Sequence, residues 1–227
     1  MAKNIIITGT SRGIGYELVR VFLEAGHKVL ALSRNMKPIE KLVTKKVHGF
    51  SFDIGKQTDI DKVADYVKNE FGHVDILIHN AGLLIAKPLA MLSLKDFQET
   101  YNVNVFGVAM LTKALVNYMP KKSHIVTISS MGGVQGSLKF PGLAAYSSSK
   151  GALITLTEVL AEEYKEEEIA FNALALGAVQ TEMLTQAFPD FKANVQPSEM
   201  AKYIMDFSLT GQQYFNGKIL QVSNSTP

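Results

Sequence analysis

Near the start of the chain, Asn4-Ile5-Ile6-Ile7-Thr8 places three isoleucines in a row directly ahead of glycines 9, 13 and 15. A strand with one wet face alternates apolar and polar residues, so an unbroken apolar run over residues 3–8 predicts a strand covered on both sides, central in a parallel sheet. The turn Thr8-Gly9-Thr10-Ser11-Arg12-Gly13-Ile14-Gly15 then opens a helical pattern with Ile14, Leu18, Val21, Phe22 and Ala25 on one face. Glycines permit the tight turn and a close approach to the backbone, and the free N–H groups at the helix start attract negative charge. Strand, glycine turn and helix in this order form the context in which such a turn binds phosphate, which makes Gly9, Ser11, Arg12, Gly13, Ile14 and Gly15 candidate ligand contacts; the bland alternative is a plain turn.

Further along, strands are expected at 28–32, 47–52, 74–78, 124–128, 169–176 and 217–222, and helices at 57–71, 94–119, 146–166 and 198–209. Strands and helices alternate, the signature of a parallel sheet with helices on both faces and a ligand crevice at the strands' carboxyl ends. The chain of 227 residues, 47% hydrophobic, can bury a large core and is read as one domain, 1–227. It has no cysteine, which excludes disulfides, thiolate metal sites and a cysteine nucleophile. A net charge of +2 with scattered Lys and Arg offers no nucleic-acid or membrane surface, and no apolar run approaches a membrane span. A cytoplasmic protein is expected. The five histidines lack metal-ligand spacing and most fall at element edges; none is assigned to catalysis, and no metal is expected.

The second strand ends in Ser33-Arg34-Asn35. In dinucleotide folds this position faces the adenosine ribose, where an acid holds the 2′-hydroxyl of NAD and an arginine accommodates the 2′-phosphate of NADP. With no acid present, and Arg34 and Arg12 available, NADP(H) is expected in preference to NAD(H), unless both arginines are merely solvated. Asn102 and Asn104 fall in the middle of the 94–119 helix, where asparagine competes with the backbone, and predict either a kink or a functional contact. Ser129-Ser130-Met131-Gly132-Gly133 follows the fifth strand and offers hydroxyls to a substrate. Tyr146 and Lys150, four residues apart on a helix, project from one face, where each can alter the other's chemistry.

Together, Thr8-Gly9-x-x-x-Gly13-x-Gly15, Asp53, Asn80-Ala81-Gly82, Asn104, Ser130 and Tyr146-x-x-x-Lys150 resemble, in order, the motifs of the short-chain dehydrogenase/reductase family, from residue 3 to residue 222. The resemblance implies a Rossmann-type, doubly wound three-layer α/β sandwich with a seven-stranded parallel sheet. It implies that Asp53 and Ile54 lie beside the adenine, Asn80, Ala81 and Gly82 stabilise the sheet next to the cofactor, and the loop with Gly177, Val179 and Thr181 borders the nicotinamide. It further implies a homodimer or homotetramer paired through the two long helices. Three departures stand out: Leu176-Gly177 in place of Pro-Gly, His79 in place of the first Asn of its motif, and a Ser130-to-Tyr146 spacing about three residues longer than usual. The last leaves Ser129 as an alternative to Ser130 and enlarges the loop around Leu138-Lys139-Phe140-Pro141. The short 182–196 segment suggests a reduced lid and a relatively open site, unless it is packing filler.

Under this resemblance the expected activity is interconversion of a carbonyl and an alcohol on a small apolar substrate. Tyr146 is the general acid/base, Ser130 the partner of the substrate oxygen, Lys150 the tuner of the phenol and holder of the ribose, and Asn104 the holder of a water leading to solvent. A free phenol titrates near ~10, and a base form at neutral pH in the oxidative direction requires ~4 kcal/mol of phenolate stabilisation, which the Lys150 charge together with the positive charge of an oxidised nicotinamide is expected to favour. Leu138, Phe140, Leu143, Met183, Leu184 and Phe188 are candidate substrate lining, unless they are core. The alternative in a different class is a non-catalytic NADP(H)-binding sensor.

Overall fold

The computed structural model describes residues 1–42 and 44–224; residue 43 and residues 225–227 of the expected domain lie outside the described residues. Seven strands form one parallel sheet: β1 (Asn4–Thr8), β2 (Lys28–Ser33), β3 (Val47–Ser51), β4 (Ile76–His79), β5 (His124–Ser130), β6 (Ala170–Leu176) and β7 (Lys218–Val222). Their order, β3-β2-β1-β4-β5-β6-β7, runs outward from β1 in one direction and then, after a return to β4, outward in the other. The order reverses between β1 and β4, so a crevice opens above the carboxyl ends at that point.

The isoleucine run is explained by what covers it. Ile5 and Ile7 face α1 (Gly13–Glu24) and α8 (Pro197–Thr210), packing with Leu18, Phe22, Ile204 and Phe207. Ile6 faces the opposite layer, with Val63 of α3 (Gln57–Tyr66), Leu111 of α5 (Gly107–Leu115) and Leu153 of α6 (Ala144–Glu163). All three isoleucines have 0% exposure, and each contributes about 1.5–3 kcal/mol by burial. A polar residue at any of the three would face a packed helix layer with no water to take its hydrogen bonds.

The long helix expected over 94–119 is interrupted, as its asparagines forewarn. It consists of α4 (Leu94–Tyr101), a π-helical turn (Asn102–Phe106), α5 and a short 3₁₀ turn (Val116–Tyr118). Ser93 and Asp96 close a capping box at the start of α4. The α3 pattern likewise ends in a π turn (Val67–Phe71) before Gly72. Two small elements complete the chain: α2 (Lys37–Glu40) and α7 (Glu182–Ala187), the latter in the expected lid.

His79 and His124 do fall at element ends, the last residue of β4 and the first of β5, but both are buried because these strands lie inside the sheet. His79 Nε2 lies 2.9 Å from Thr112 Oγ1, and burial lowers its pKa to about 3. His124 bridges the Ser208 carbonyl (3.1 Å) and the Asn172 amide (3.0 Å), and burial lowers its pKa to about 4. Both are neutral side chains packed inside the sheet.

Candidate active site

A crevice of about 740 Å³ lies over the carboxyl ends of the strands. Its floor starts at the glycine turn. Gly9 has φ of +75° and Gly13 of +56°, both in the region that favours glycine. The extended Arg12 precedes α1 without any side-chain cap, so the first-turn N–H groups lack a side-chain acceptor while Gly13, Ile14 and Gly15 line the crevice. That is the chemistry a phosphate group needs.

Asn80 sews the turn to the next strand. Its side-chain amide donates to the carbonyls of Thr8 and Gly9, both at 3.1 Å, while Thr8 Oγ1 accepts from the Asn80 and Ala81 N–H groups at 3.1 and 3.0 Å. Thr8 was missed as the hub of this junction, because a threonine at a strand end carries no distinctive pattern. Ser33 and Arg34 line the same crevice beyond β2; the Ser33 hydroxyl donates to the Asn35 carbonyl at 3.0 Å, and Arg34 is exposed with no carboxylate within 4.0 Å among the described residues. Asp53 Oδ1 accepts from the Gly55 N–H at 3.0 Å and holds the Asp53-Ile54 turn in shape at the crevice wall. Gly82, Gly177, Val179 and Thr181 also line it, and Thr181 Oγ1 accepts from the Leu184 N–H at 3.2 Å, capping α7.

Arg12 is differently engaged from what its phosphate reading supposed. It forms an ion pair with Glu182 at the start of α7, joining the glycine turn to the lid across the crevice mouth. A lone exposed glutamate gives no sign of this in the sequence.

Tyr146 stands in the first turn of α6 and Lys150 one turn later, with Lys150 Nζ 5.8 Å from the centre of the phenol ring. The ammonium donates to the Ile128 carbonyl at 2.7 Å. Ser129 turns inward and donates to the Lys150 carbonyl at 3.0 Å, whereas Ser130 lines the crevice and its hydroxyl faces the phenol. The geometry therefore favours Ser130 over Ser129 as the exposed hydroxyl. Gly133 makes the close packing possible: a Cβ there would stand 2.6 Å from the Lys150 backbone carbon.

The electrostatics differ from expectation in one respect. The Tyr146 side chain borders the open crevice, but its hydroxyl lies deep, and burial pushes the phenol up to about 12, with the Ser130 hydroxyl opposing. Lys150, buried, is lowered to about 8. Desolvation of both groups outweighs their mutual attraction at this distance, so the free protein holds a neutral phenol rather than an acidified one.

Asn104 is the expected site residue that does not line the crevice. It is fully buried in the π turn, its Oδ1 accepting from the Leu83 N–H at 2.7 Å and its amide donating to the Leu83 carbonyl and to Ser149 Oγ, both at 2.9 Å. Ser149 in turn donates to the Tyr146 carbonyl at 2.7 Å. Both amide donors are spent on protein, so Asn104 braces the loop after β4 against α6.

Leu138, Phe140 and Leu143, and Met183, Leu184 and Phe188 of the 182–196 segment, line the same crevice as Tyr146. Phe140 and Phe188 meet edge to face at 5.1 Å. The lid is tied back by the Gln180 N–H to the Val195 carbonyl (2.9 Å) and the Ala193 N–H to Gln180 Oε1 (2.8 Å). No group of three or more metal-ligating side chains occurs among the described residues, and no described helix is long and apolar enough to cross a membrane.

A family model described as short chain dehydrogenase matches residues 3–192. The chain is 28% identical to 3-oxoacyl-(acyl-carrier-protein) reductase FabG of Thermotoga maritima, over 97% of this chain and 96% of that protein. It is 31% identical to the reductase of the same name from Escherichia coli, over 85% of this chain and 80% of that one. Among solved structures, a short chain dehydrogenase from Burkholderia cenocepacia, in complex with NADP, superposes with a TM-score of 0.89 at 24% identity, covering 98% of this chain and 97% of the other. Sheet order, glycine turn and tyrosine–lysine helix thus sit within a match that spans most of the sequence: the chain belongs to the short-chain dehydrogenase family of oxidoreductases.

Proposed function

We propose that this protein is an NADP(H)-dependent oxidoreductase that interconverts a carbonyl and an alcohol on an apolar substrate, with Tyr146 as general acid/base. The observation that carries this reading is the neutral Tyr146 phenol at the base of an apolar chamber, with the Ser130 hydroxyl facing it and Lys150 one turn below. A bound nicotinamide would supply or take back the hydride. The chain's own residues handle the proton: Tyr146 donates it to the oxygen as negative charge develops there, and Ser130 steadies that oxygen with a hydrogen bond. Lys150 provides the positive charge that limits the cost of the resulting phenolate, and also a donor for the ribose hydroxyls. Asn104 holds the Leu83 loop and the backbone of Tyr146 in register. The names of the two reductase relatives, which denote reduction of a 3-oxoacyl compound, whose oxo group is a ketone, support the carbonyl direction. Screening purified protein for NADPH oxidation across a carbonyl panel tests the reading; NADPH binding without any turnover would favour the sensor alternative.

The cofactor preference rests on Arg34, whose guanidinium has no acidic partner among the described residues, and on the absence of an acid at the end of β2. Arg12 joins it only by loosening from Glu182. Arg34→Ala is expected to weaken NADPH about tenfold or more, as for loss of a charged hydrogen bond, and NADH little. Titration of both nucleotides checks this, and equal losses would remove Arg34 from the role.

A pH profile gives a further check. The phenol is raised to about 12 and remains protonated throughout the neutral range, while Lys150 carries its charge only below about pH 8. Reductive kcat/KM, which reports the free protein's groups, is expected to be level through neutrality and to fall as pH rises past about 8. A profile that stays level to the phenol's own titration would show that the Lys150 charge contributes nothing.

We further propose a homodimer or homotetramer, on the exposed apolar residues Leu94, Phe106 and Met110 of the α4–α5 segment and Val159 of α6. Side chains of this size are costly to leave in water on the outer faces of two long helices.

A further inference from the structure

The stretch between Ser130 and Tyr146, longer than the family resemblance leads one to expect, builds a second chamber. It turns at Gly136 and again at Gly142, with φ of +77° and +86°, and lies against the loop after β4, where the Lys87 N–H donates to the Gly142 carbonyl at 2.9 Å. Between the two segments is a cavity walled by Ala86, Pro88 and Pro141. Phe140, Leu143 and Ser147 belong both to its wall and to that of the main crevice, so the two spaces adjoin behind the apolar end of the site.

Two lysines flank this cavity, and they are not equivalent. Lys87 Nζ is 2.9 Å from Asp96 Oδ1, and Lys87 is the main cause that holds the Asp96 carboxyl down to about 2, so the pair is neutral. Lys139 Nζ donates to the Val134 carbonyl and Ser137 Oγ, each at 2.6 Å, and to the Ser137 carbonyl at 3.2 Å. These acceptors are all uncharged, and no carboxylate lies within 4.0 Å of Lys139 among the described residues. The ammonium is folded onto the 134–137 turn with no acidic partner, on an exposed residue that also lines the apolar space. Exchanging one neutral acceptor for an anion would gain a charge-assisted hydrogen bond, about twice as strong as a neutral one.

We propose that the second chamber takes the far arm of the substrate, and that Lys139 holds an anionic group at its end. The substrate class is then an extended apolar carbonyl compound bearing a carboxylate remote from the reacting carbon. This rests on the carbonyl reading of the Tyr146 site and extends it.

The test compares ω-oxo carboxylic acids of increasing chain length with their methyl esters, as the ratio of kcat/KM for acid over ester, with NADPH. In the wild type the ratio is expected to exceed one and to rise until the chain spans the chamber. Lys139→Gln should cut it roughly fivefold, the upper range for a rim ion pair, whereas Lys87→Gln combined with Asp96→Asn, which removes the neutral pair as a whole, should leave it unchanged. Added salt should lower it in the wild type and not in Lys139→Gln. A ratio of one at every length, or a ratio insensitive to Lys139→Gln, overturns the proposal. If no aldehyde of either kind turns over, the carbonyl panel judges the reading of Tyr146, and calorimetric titration of the longest acid into protein saturated with NADP decides the chamber by itself. Saturable binding that Lys139→Gln abolishes supports the site, and absence of binding rejects it.

Discussion

Tyr146→Phe is expected to lower the turnover number for carbonyl reduction by about 10²-fold or more, the size of a lost general acid, while changing NADPH affinity less than about twofold. The substitution removes one oxygen and leaves the ring. The packing of the first turn of α6, the Lys150 bond to the Ile128 carbonyl and the Ser149 bond to the Tyr146 carbonyl are all independent of that oxygen. What disappears is the proton on a neutral phenol bordering the crevice, kept in place by burial that pushes it up to about 12. Ser130 remains as a hydrogen-bond partner for the substrate oxygen but is far too weak an acid to replace it. Single-turnover decay of NADPH absorbance measures the chemical step, and a separate nucleotide titration measures binding. Wild-type decay in the variant would remove Tyr146 from proton transfer, and a parallel loss of binding would show that the phenol's role is structural.

The two kinds of information were legible to different depths. The covered β1 and the crevice at the strand ends follow from local pattern, since an uninterrupted Ile5-Ile6-Ile7 can be satisfied only between two helical layers, whereas the doubly wound order of the strands came only with the family resemblance. The break at Asn104 was equally readable, because its amide needs partners that a straight helix cannot supply, and the Leu83 loop and Ser149 provide them. Long-range pairings were not readable. Arg12 and Glu182 are 170 positions apart, and each looks like an ordinary surface charge until the lid folds over the glycine turn. His79 closes β4 and His124 opens β5, but the end of an element is not the edge of the protein: both strands lie inside the sheet, and only the packing around them shows that these side chains are covered. The phenol's raised pKa escaped for a related reason. One-turn spacing of Tyr146 and Lys150 indicates proximity, but whether desolvation or attraction dominates depends on burial and on the Ile128 carbonyl that claims the ammonium.

Gly15→Ala is expected to destabilise the fold by about 2–4 kcal/mol and to weaken NADPH binding more than any surface charge change. On helix propensity alone, alanine would be favoured by ~1 kcal/mol inside α1. Contact geometry decides against it: a Cβ at this position would stand 2.1 Å from the Gly9 carbonyl oxygen and 2.4 Å from Asn80 Nδ2. Neither neighbour can swing away freely, since one is backbone and the other already donates to the carbonyls of Thr8 and Gly9. Relief requires lifting α1 from the turn or breaking the Asn80 bonds that join the ends of β1 and β4. Overpacking of this kind costs about 1–3 kcal/mol, and each lost hydrogen bond about 1 more. The same displacement moves the first-turn N–H groups that line the crevice, so stability and nucleotide affinity should fall together. Gly136→Ala supplies the contrast: its φ is +77° but nothing lies within 4 Å of the added methyl, so it should cost only the left-handed strain, roughly 1–2 kcal/mol. Urea unfolding of the two variants beside the wild type measures the difference. Equal midpoints for Gly15→Ala and Gly136→Ala would mean that α1 can retreat from the glycine turn without penalty, and that the turn is not the rigid cradle on which the whole site stands.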